Sequence, residues 1–221
     1  MSLFICATPI GNLEDITLRV LRMLKEADLI LAEDTRRTRI LLAHYGIKNR
    51  MDSFNDFNKE QKTPGVVSLL KQNKNIALVS DAGTPGISDP AFYLVRECLK
   101  EEVNVIPAPG PTAFIAALVA SGLPTDRFTF YGFFPKKEGQ KEALLNEIRV
   151  RKETAIFYES PHRIQKTLAL LAKHLPDHNM VLARELTKKF EEFYRGPVKA
   201  VQERLKSREI RGEMVLLLHR S

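Results

Sequence analysis

IALVSDAGTPGISDPAFYLVRECLKE, Ile76–Glu101, is the stretch that decides the fold. Its first four residues, Ile76 to Val79, form an apolar run too short for a helix and read as a buried strand. Gly83, Pro85, Gly86 and Pro90 then punctuate a loop that no regular element could hold. Ser88 or Asp89 can cap the helix that follows. Pro90 suits its first position, where a backbone N–H has no partner anyway. The unit is strand–loop–helix, and in open α/β sheets ligands sit outside the carboxyl ends of strands. The loop is no ordinary phosphate cradle: it lacks a P-loop lysine, its glycines do not fit G-x-G-x-x-G, and it carries Asp81 and Asp89. Two carboxylates repel a phosphate but suit a ribose, an ammonium group or another cation. An ordinary βα connection is the plain alternative.

The same grammar extends outward. Leu3 to Ala7 reads as a strand, turning at Thr8-Pro9-Ile10-Gly11-Asn12 into a helix with Leu18, Leu21 and Leu24 on one face. Leu29 to Ala32 is a second strand, and Glu33-Asp34-Thr35-Arg36-Arg37-Thr38-Arg39 follows its carboxyl end. Asp34 or Thr35 can cap the next helix. Positive charge in a first turn opposes the macrodipole at about 0.3–1 kcal/mol per group unless an anion relieves it. Arg36, Arg37 and Arg39 therefore point to a phosphate or carboxylate, which guanidinium forks bind well. Gly46 ends this helix. Arg50 to Asn58 has no helical or strand period and reads as a mobile loop. Its Phe54 and Phe57 could stack on bases, anchorage to the core being the plainer role. A helix around Val66–Lys71, a strand at Val103–Ile106, a rigid loop through Pro107–Ala113 and a small-residue helix over Phe114–Ala120 complete the first half.

After Pro124 the texture turns aromatic and β-prone at Phe128–Phe134. A charged helix (Glu138–Val150), a strand (Ala155–Tyr158), Glu159-Ser160-Pro161-His162-Arg163, a helix with Ile164, Leu168 and Leu171, and a strand at Met180–Ala183 follow. Arg184-Glu185-Leu186-Thr187-Lys188-Lys189, a helix from about Pro197 and a last strand at Met214–His219 close the chain. This predicts two α/β domains, 1–123 and 124–221, flanking a cleft.

The chain has 221 residues, 44% hydrophobic and 28% charged, the balance of a soluble globular protein. Its net charge of +7 favours a polyanionic partner. Cys6 and Cys98 form no disulfide framework, which points to a reducing, cytoplasmic setting. No signal peptide is evident, and no apolar run approaches the roughly 20 residues of a membrane span. No metal is expected, because Pro176 keeps His174 and His178 off a shared helical face. The G-x-S-x-G elbow of a Ser-His-Asp hydrolase is absent. Glu159, His162, Arg163, Glu185 and Lys188 follow strands of the second half, as helix caps and surface ion pairs or as groups lining the cleft.

Six segments occur in family order: Thr8–Leu13, Ala32–Arg36, Val79–Pro85, Pro109–Ala113, Tyr158–Arg163 and Arg184–Lys188. Together they resemble the ribosomal RNA small subunit methyltransferase I family of the tetrapyrrole methylase superfamily, over Leu3–Leu218. The resemblance implies a class III methyltransferase fold, not Rossmann-type, usually a homodimer. It implies S-adenosylmethionine as methyl donor, without a metal, and transfer to the 2′-oxygen of a cytidine in the decoding region of 16S rRNA. Carried over residue by residue, it gives donor contacts to Pro9, Asp81, Gly83, Thr84, Ile87, Ser88, Thr112 and Ala113 in the first domain. Phe157, Tyr158 and the segment around Met214 would supply the rest from the second. An acidic loop without lysine fits a sulfonium ligand that has no phosphate.

A ribose hydroxyl is a poor nucleophile and needs orientation and proton removal. Glu185 and Lys188 are the first candidates, the lysine if desolvation lowers its pKa. Glu159 and Asp34 come after them. Arg36, Arg37, Arg39 and Arg163 would hold RNA phosphates, which position without reading sequence. Family members often continue past the last strand, so grip on RNA is expected to rest on the basic surface here or on a dimer partner. Two alternatives stay open: a superfamily methyltransferase acting on a tetrapyrrole or other substrate, and a non-catalytic RNA-binding assembly factor.

Overall fold

The computed structural model describes Met1–Arg220 and divides into two compact units, Met1–Thr112 and the chain from Ala113 onward. In the first unit five strands, β1 (Ser2–Cys6), β2 (Leu29–Ala32), β3 (Met51–Ser53), β4 (Asn75–Val79) and β5 (Val105–Ala108), form one parallel sheet in the order β3-β2-β4-β1-β5. This is not the Rossmann order.

Alternation along the strands sorts side chains onto two faces. Cys6, Ile30, Ala77 and Val79 pack with Val20 and Leu24 of α1 (Leu18–Glu26) and Leu41 and Leu42 of α2 (Thr35–His44). Leu3, Leu31, Ile76 and Leu78 pack on the other side with Val66 and Leu70 of α3 (Lys59–Lys71) and Leu94 and Cys98 of α4 (Ala91–Lys100). With both faces covered, the strands read as continuous apolar runs. Each fully buried Leu or Ile contributes about 1.5–3 kcal/mol. Both cysteines serve as small apolar residues: burial pushes the Cys6 thiol up to about 12 and that of Cys98 to about 11.

Strand β3 corrects the reading of Arg50–Asn58 as a loop throughout. Met51–Ser53 is too short and too polar to show a period, yet it pairs with β2 in the register Ile30↔Met51. Neighbouring Asn49 fixes its approach, donating from Nδ2 to the carbonyls of Leu24 and Ala27, both at 2.8 Å. Helix α3 also starts earlier than expected and runs through Pro64. Burial of Thr63, Val66, Val67 and Leu70 offsets the cost of about 3 kcal/mol that an interior proline carries.

The second unit holds β6 (Phe128–Phe133), β7 (Thr154–Glu159), β8 (Asn179–Arg184), β9 (Glu192–Pro197) and β10 (Met214–His219), ordered β6-β7-β10-β8-β9. Only β6 and β7 are parallel; the remaining pairs are antiparallel. Its helices are α5 (Ala113–Val119), α6 (Glu138–Val150), α7 (Ile164–His174) and α8 (Val198–Leu205). Phe134, Leu145, Phe157, Leu168, Leu182 and Leu216 form the centre of the core. The division falls before α5, whereas the sequence suggested Pro124. Helix α5 packs with the second unit: Phe114 stacks on Phe130 of β6 with centroids 4.4 Å apart, and Arg195 of β9 donates to the Ala120 and Ser121 carbonyls just past the helix. Among the described residues no helix is long and apolar enough to cross a membrane.

Candidate functional site

Because the first sheet is wholly parallel, its five carboxyl ends open at one edge, and their loops interlock there. Thr8 after β1 and Gly83 after β4 exchange backbone hydrogen bonds, and Thr8 Oγ1 donates to the Ser80 carbonyl at 3.3 Å. Thr84 Oγ1 donates to the Pro111 carbonyl at 3.1 Å and lies 2.7 Å from Thr112 Oγ1, tying in the loop after β5. Gly110 has no room for a side chain, since a Cβ there would stand 2.9 Å from Ala7 Cβ.

The loops after β2 and β4 are joined by charge. Asp34 N–H donates to Asp81 Oδ1 at 2.9 Å, and Asp81 N–H donates to Glu33 Oε2 at 3.2 Å. Arg37 Nη1 lies 3.3 Å from Asp81 Oδ2, and Arg36 grips Asp34 with Nε at 3.0 Å and Nη2 at 2.7 Å. That fork and the Arg36 N–H hold the Asp34 carboxyl down at about 2, so it is a very weak base. The anion that relieves the arginine-rich first turn of α2 is thus internal for Arg36 and Arg37. Arg39 is exposed and makes no ion pair among the described residues.

Glu33, passed over in the sequence as a site residue, enters through this network. Its signal was its position directly after the strand, masked by the charges beside it. Burial pushes its carboxyl up, and the carboxylates of Asp81, Asp89 and Asp56 add to the effect. Burial likewise raises Asp89, which accepts from the N–H groups of Gly86 and Ala91. Pro90 stands at the N-cap of α4, one residue before the first helical position expected for it; Asp89, just ahead of it, takes the first helical N–H, and Ser88 sits in left-handed backbone at φ 64° beside half-buried Ile87. Pro9 is half-buried in the β1 loop. Around the β4 loop itself, Glu33, Asp81 and Asp89 with no lysine among them favour a cation and disfavour a phosphate, while the arginines lie at the start of α2.

The second sheet gathers its own candidates at one edge, where Met214 pairs with Glu159 on one side and Arg184 on the other. Glu159 has no exposed side-chain surface and every direction is filled. Oε2 accepts from Thr167 Oγ1 at 2.6 Å, while Oε1 takes the Ser160 N–H at 2.7 Å and Arg163 Nη2 at 2.6 Å. Arg163 also donates from Nη1 to the Phe134 carbonyl at 3.0 Å. Both are engaged as a structural clamp. Phe157 and Met214 are buried side chains of the core, so contact from them with a ligand would have to use the backbone; Tyr158 is half-buried.

Glu185 and Lys188 form a pair with Oε1 and Nζ 3.0 Å apart, and Lys188 Nζ also reaches Glu213 Oε2 at 2.9 Å. Burial opposes charge on Glu185, but the Glu213 N–H and Lys188 outweigh it and hold its carboxyl below the ordinary value. Burial opposes charge on Lys188 as well, and its two carboxylates more than offset that, raising it. The expectation that desolvation lowers the lysine is corrected: it stays protonated. Glu185 (φ 50°) and Thr187 (φ 66°) are both left-handed, and Thr187 Oγ1 is buried without a hydrogen-bond partner among the described residues. Such strain, rare outside glycine, concentrates at functional sites.

The sequence model of the tetrapyrrole (corrin/porphyrin) methylases matches residues 2–202. The chain is 46% identical to a ribosomal RNA small subunit methyltransferase I of Halalkalibacterium halodurans, covering 98% of this chain and 75% of that protein. It is 48% identical to the Haemophilus influenzae protein of the same name, covering 98% and 77%. In fold it matches a Thermus thermophilus uroporphyrin-III C-methyltransferase crystallised with S-adenyl homocysteine, with TM-score 0.66 and 19% identity over 98% of this chain and 97% of that one. With both sheets and their loop edges in view, the chain belongs to the tetrapyrrole (corrin/porphyrin) methylases, in the ribosomal RNA small subunit methyltransferase I family.

Proposed function

We propose that the protein transfers a methyl group from S-adenosylmethionine to the 2′-oxygen of a cytidine in the decoding region of 16S rRNA. Two observations support this reading above others. The relatives nearly half identical along almost the whole chain are named for small-subunit ribosomal RNA, and the first sheet's edge is built for a cation. S-adenosylmethionine supplies an electrophilic methyl on a positively charged sulphur. The donor set fits it: Asp81 with Glu33 and Asp89 beside it, the Thr84–Thr112 hydroxyl pair, and loop backbone freed by Gly83.

Each chain residue then has a task. Asp81 is held in place by the Asp34 N–H and Arg37, so its carboxylate is oriented before any ligand arrives. Pro9, Gly83, Ile87, Ser88 and Ala113 shape the donor subsite. Glu185, ionised and aimed by Lys188 and the Glu213 N–H, takes the 2′-hydroxyl proton. Lys188 stays protonated and steadies that carboxylate. Exposed Arg36 and Arg39, with Arg37, attract RNA phosphates. A second copy of the chain and 16S rRNA, free or within the small ribosomal subunit, are the partners this reading expects, in the cytoplasm.

The test is labelled S-adenosylmethionine incubated with small subunits from a methylation-deficient strain. Label is expected in the RNA, at a position that resists alkaline hydrolysis because its 2′-hydroxyl is blocked. Label at an alkali-sensitive position, or on a tetrapyrrole instead, would refute the assignment.

A further inference from the structure

The two phenylalanines of the β3–α3 loop have opposite fates. Phe54 is 1% exposed and packs with Leu31, Val66 and Leu70, whereas Phe57 is 100% exposed. Single exposed apolar side chains are common, but this one is held out by a built turn. Phe57 N–H donates to Asn55 Oδ1 at 3.1 Å, and Asn55 N–H donates to Asn58 Oδ1 at 2.9 Å. Asn58 Nδ2 donates to Ser53 Oγ at 3.1 Å, and Lys62 Nζ donates to the Ser53 carbonyl at 2.8 Å. The backbone on both sides of the ring is therefore fixed, and ligand binding would not have to order a loose loop.

The turn follows β3, and β3 lies beside β2 in the sheet, so the ring leaves the same edge as Glu33 and the start of α2. Asp56, next to Phe57, adds to the electrostatic load on Glu33 and on Asp89. At that edge Arg36 has a side chain 86% exposed. The chain neighbours of Phe57 are polar or charged: Asn55, Asp56, Asn58 and Lys59. A solitary ring in such company offers a flat π-face, not the contiguous apolar patch that a protein partner would cover.

We propose that Phe57 is a stacking platform for an unpaired base of the RNA substrate, with Arg36 and Arg39 drawing in the adjoining backbone. This rests on the RNA reading above. Aromatic rings bind single strands this way because every base has a π-face, while cations track the phosphates.

The chain has no tryptophan, so Phe57→Trp introduces a single fluorophore at the proposed contact. A single-stranded oligoribonucleotide should quench it, while an abasic ribose-phosphate strand of equal length should bind without quenching. Phe57→Ala should weaken affinity for the base-bearing strand about tenfold, leaving affinity for the abasic strand and for S-adenosylmethionine unchanged. Equal affinity of wild type and Phe57→Ala for the base-bearing strand, or quenching by the abasic strand, would overturn the stacking role and leave the RNA reading standing. Failure of the wild type to bind either strand would overturn both.

Discussion

Thr8 and Gly83 exchange two backbone hydrogen bonds, each 2.9 Å, in an isolated antiparallel bridge between the loops leaving β1 and β4. Neighbouring strands in the sheet are thereby locked together at the edge proposed to hold the methyl donor. The bridge needs Gly83 at φ 83°, a conformation that costs a residue with Cβ about 1–2 kcal/mol.

Gly83→Ala should lower the melting temperature by a few degrees and weaken S-adenosylmethionine binding. The added Cβ meets Ile10 Cγ2 at 3.4 Å and the Pro111 carbonyl at 3.6 Å, ordinary contacts, so the cost is the backbone strain of the left-handed conformation. Scanning and titration calorimetry together check this. An unaltered melting curve would mean that the bridge is not what orders the edge.

Asp81→Ala should abolish donor binding, because it removes the acceptor of the Asp34 N–H and the partner of Arg37. Asp81→Asn keeps an acceptor but loses the charge, and an intermediate affinity is expected. Replacing Arg36 and Arg37 together by alanine should flatten the salt dependence of RNA binding by about two units of slope at most. Unchanged donor affinity in the alanine variant would take Asp81 out of the site.

Glu159→Ala should destabilise the second unit by about 3–5 kcal/mol, the usual cost of removing one partner of a buried, hydrogen-bonded ion pair. It leaves Thr167, the Ser160 N–H and Arg163 without their acceptor. Glu159→Gln keeps part of the network and should cost less. Urea midpoints at constant slope measure both. A large loss of turnover in a fully stable Glu159→Gln protein would instead return this residue to the list of reacting groups.

His178 gives the fold a weakness to acid. Burial holds its pKa below the ordinary 6.5, helped by Arg220, His219 and Arg149, and its Nε2 has no hydrogen-bond partner among the described residues. The unfolded chain therefore binds more protons between the folded pKa and 6.5. Stability should fall as pH drops through that window and level off below it. His178→Gln should flatten the pH dependence of the urea midpoint below the ordinary histidine value of 6.5. An unchanged slope would assign the acid sensitivity elsewhere.

Glu185 and Lys188 should both stay charged between the ordinary carboxyl value of 4.5 and the ordinary lysine value of 10.5, since the first is lowered and the second raised. Neither should put a limb in the pH profile of kcat within that interval. Glu185→Gln should cut kcat by roughly 100-fold or more, as loss of a general base does, with little change in donor affinity. Lys188→Arg should retain more activity than Lys188→Met. A neutral-pH limb that vanishes in Lys188→Arg would identify the lysine as the base after all.

Most strands and helices could be read from the chain because their signal is local. Leu29–Ala32, Glu138–Val150 and Met214–His219 coincide with the expected elements to the residue, being bounded by turns or carrying a complete period. Strand β3 could not be read, since three residues on a sheet edge have neither length nor pattern and exist by pairing with Ile30–Ala32. Helix α5 was legible as a helix but not as part of the second unit, because contacts distant in sequence place it there, among them the stack of Phe114 on Phe130 and the Arg195 hydrogen bonds to the carbonyls of Ala120 and Ser121.

By itself the sequence determined that carboxylates, arginines and glycines stand where strands end, because alternation of apolar runs and turn residues is written in order along the chain. Only the tertiary structure decided what each charge faces. Arg163 is clamped on Glu159, Arg37 reaches Asp81 while staying exposed, and Phe54 turned inward while Phe57 stayed out. A charge's partner is set by distance in space, and residues far apart along the chain meet at the edge of a sheet only once it has formed.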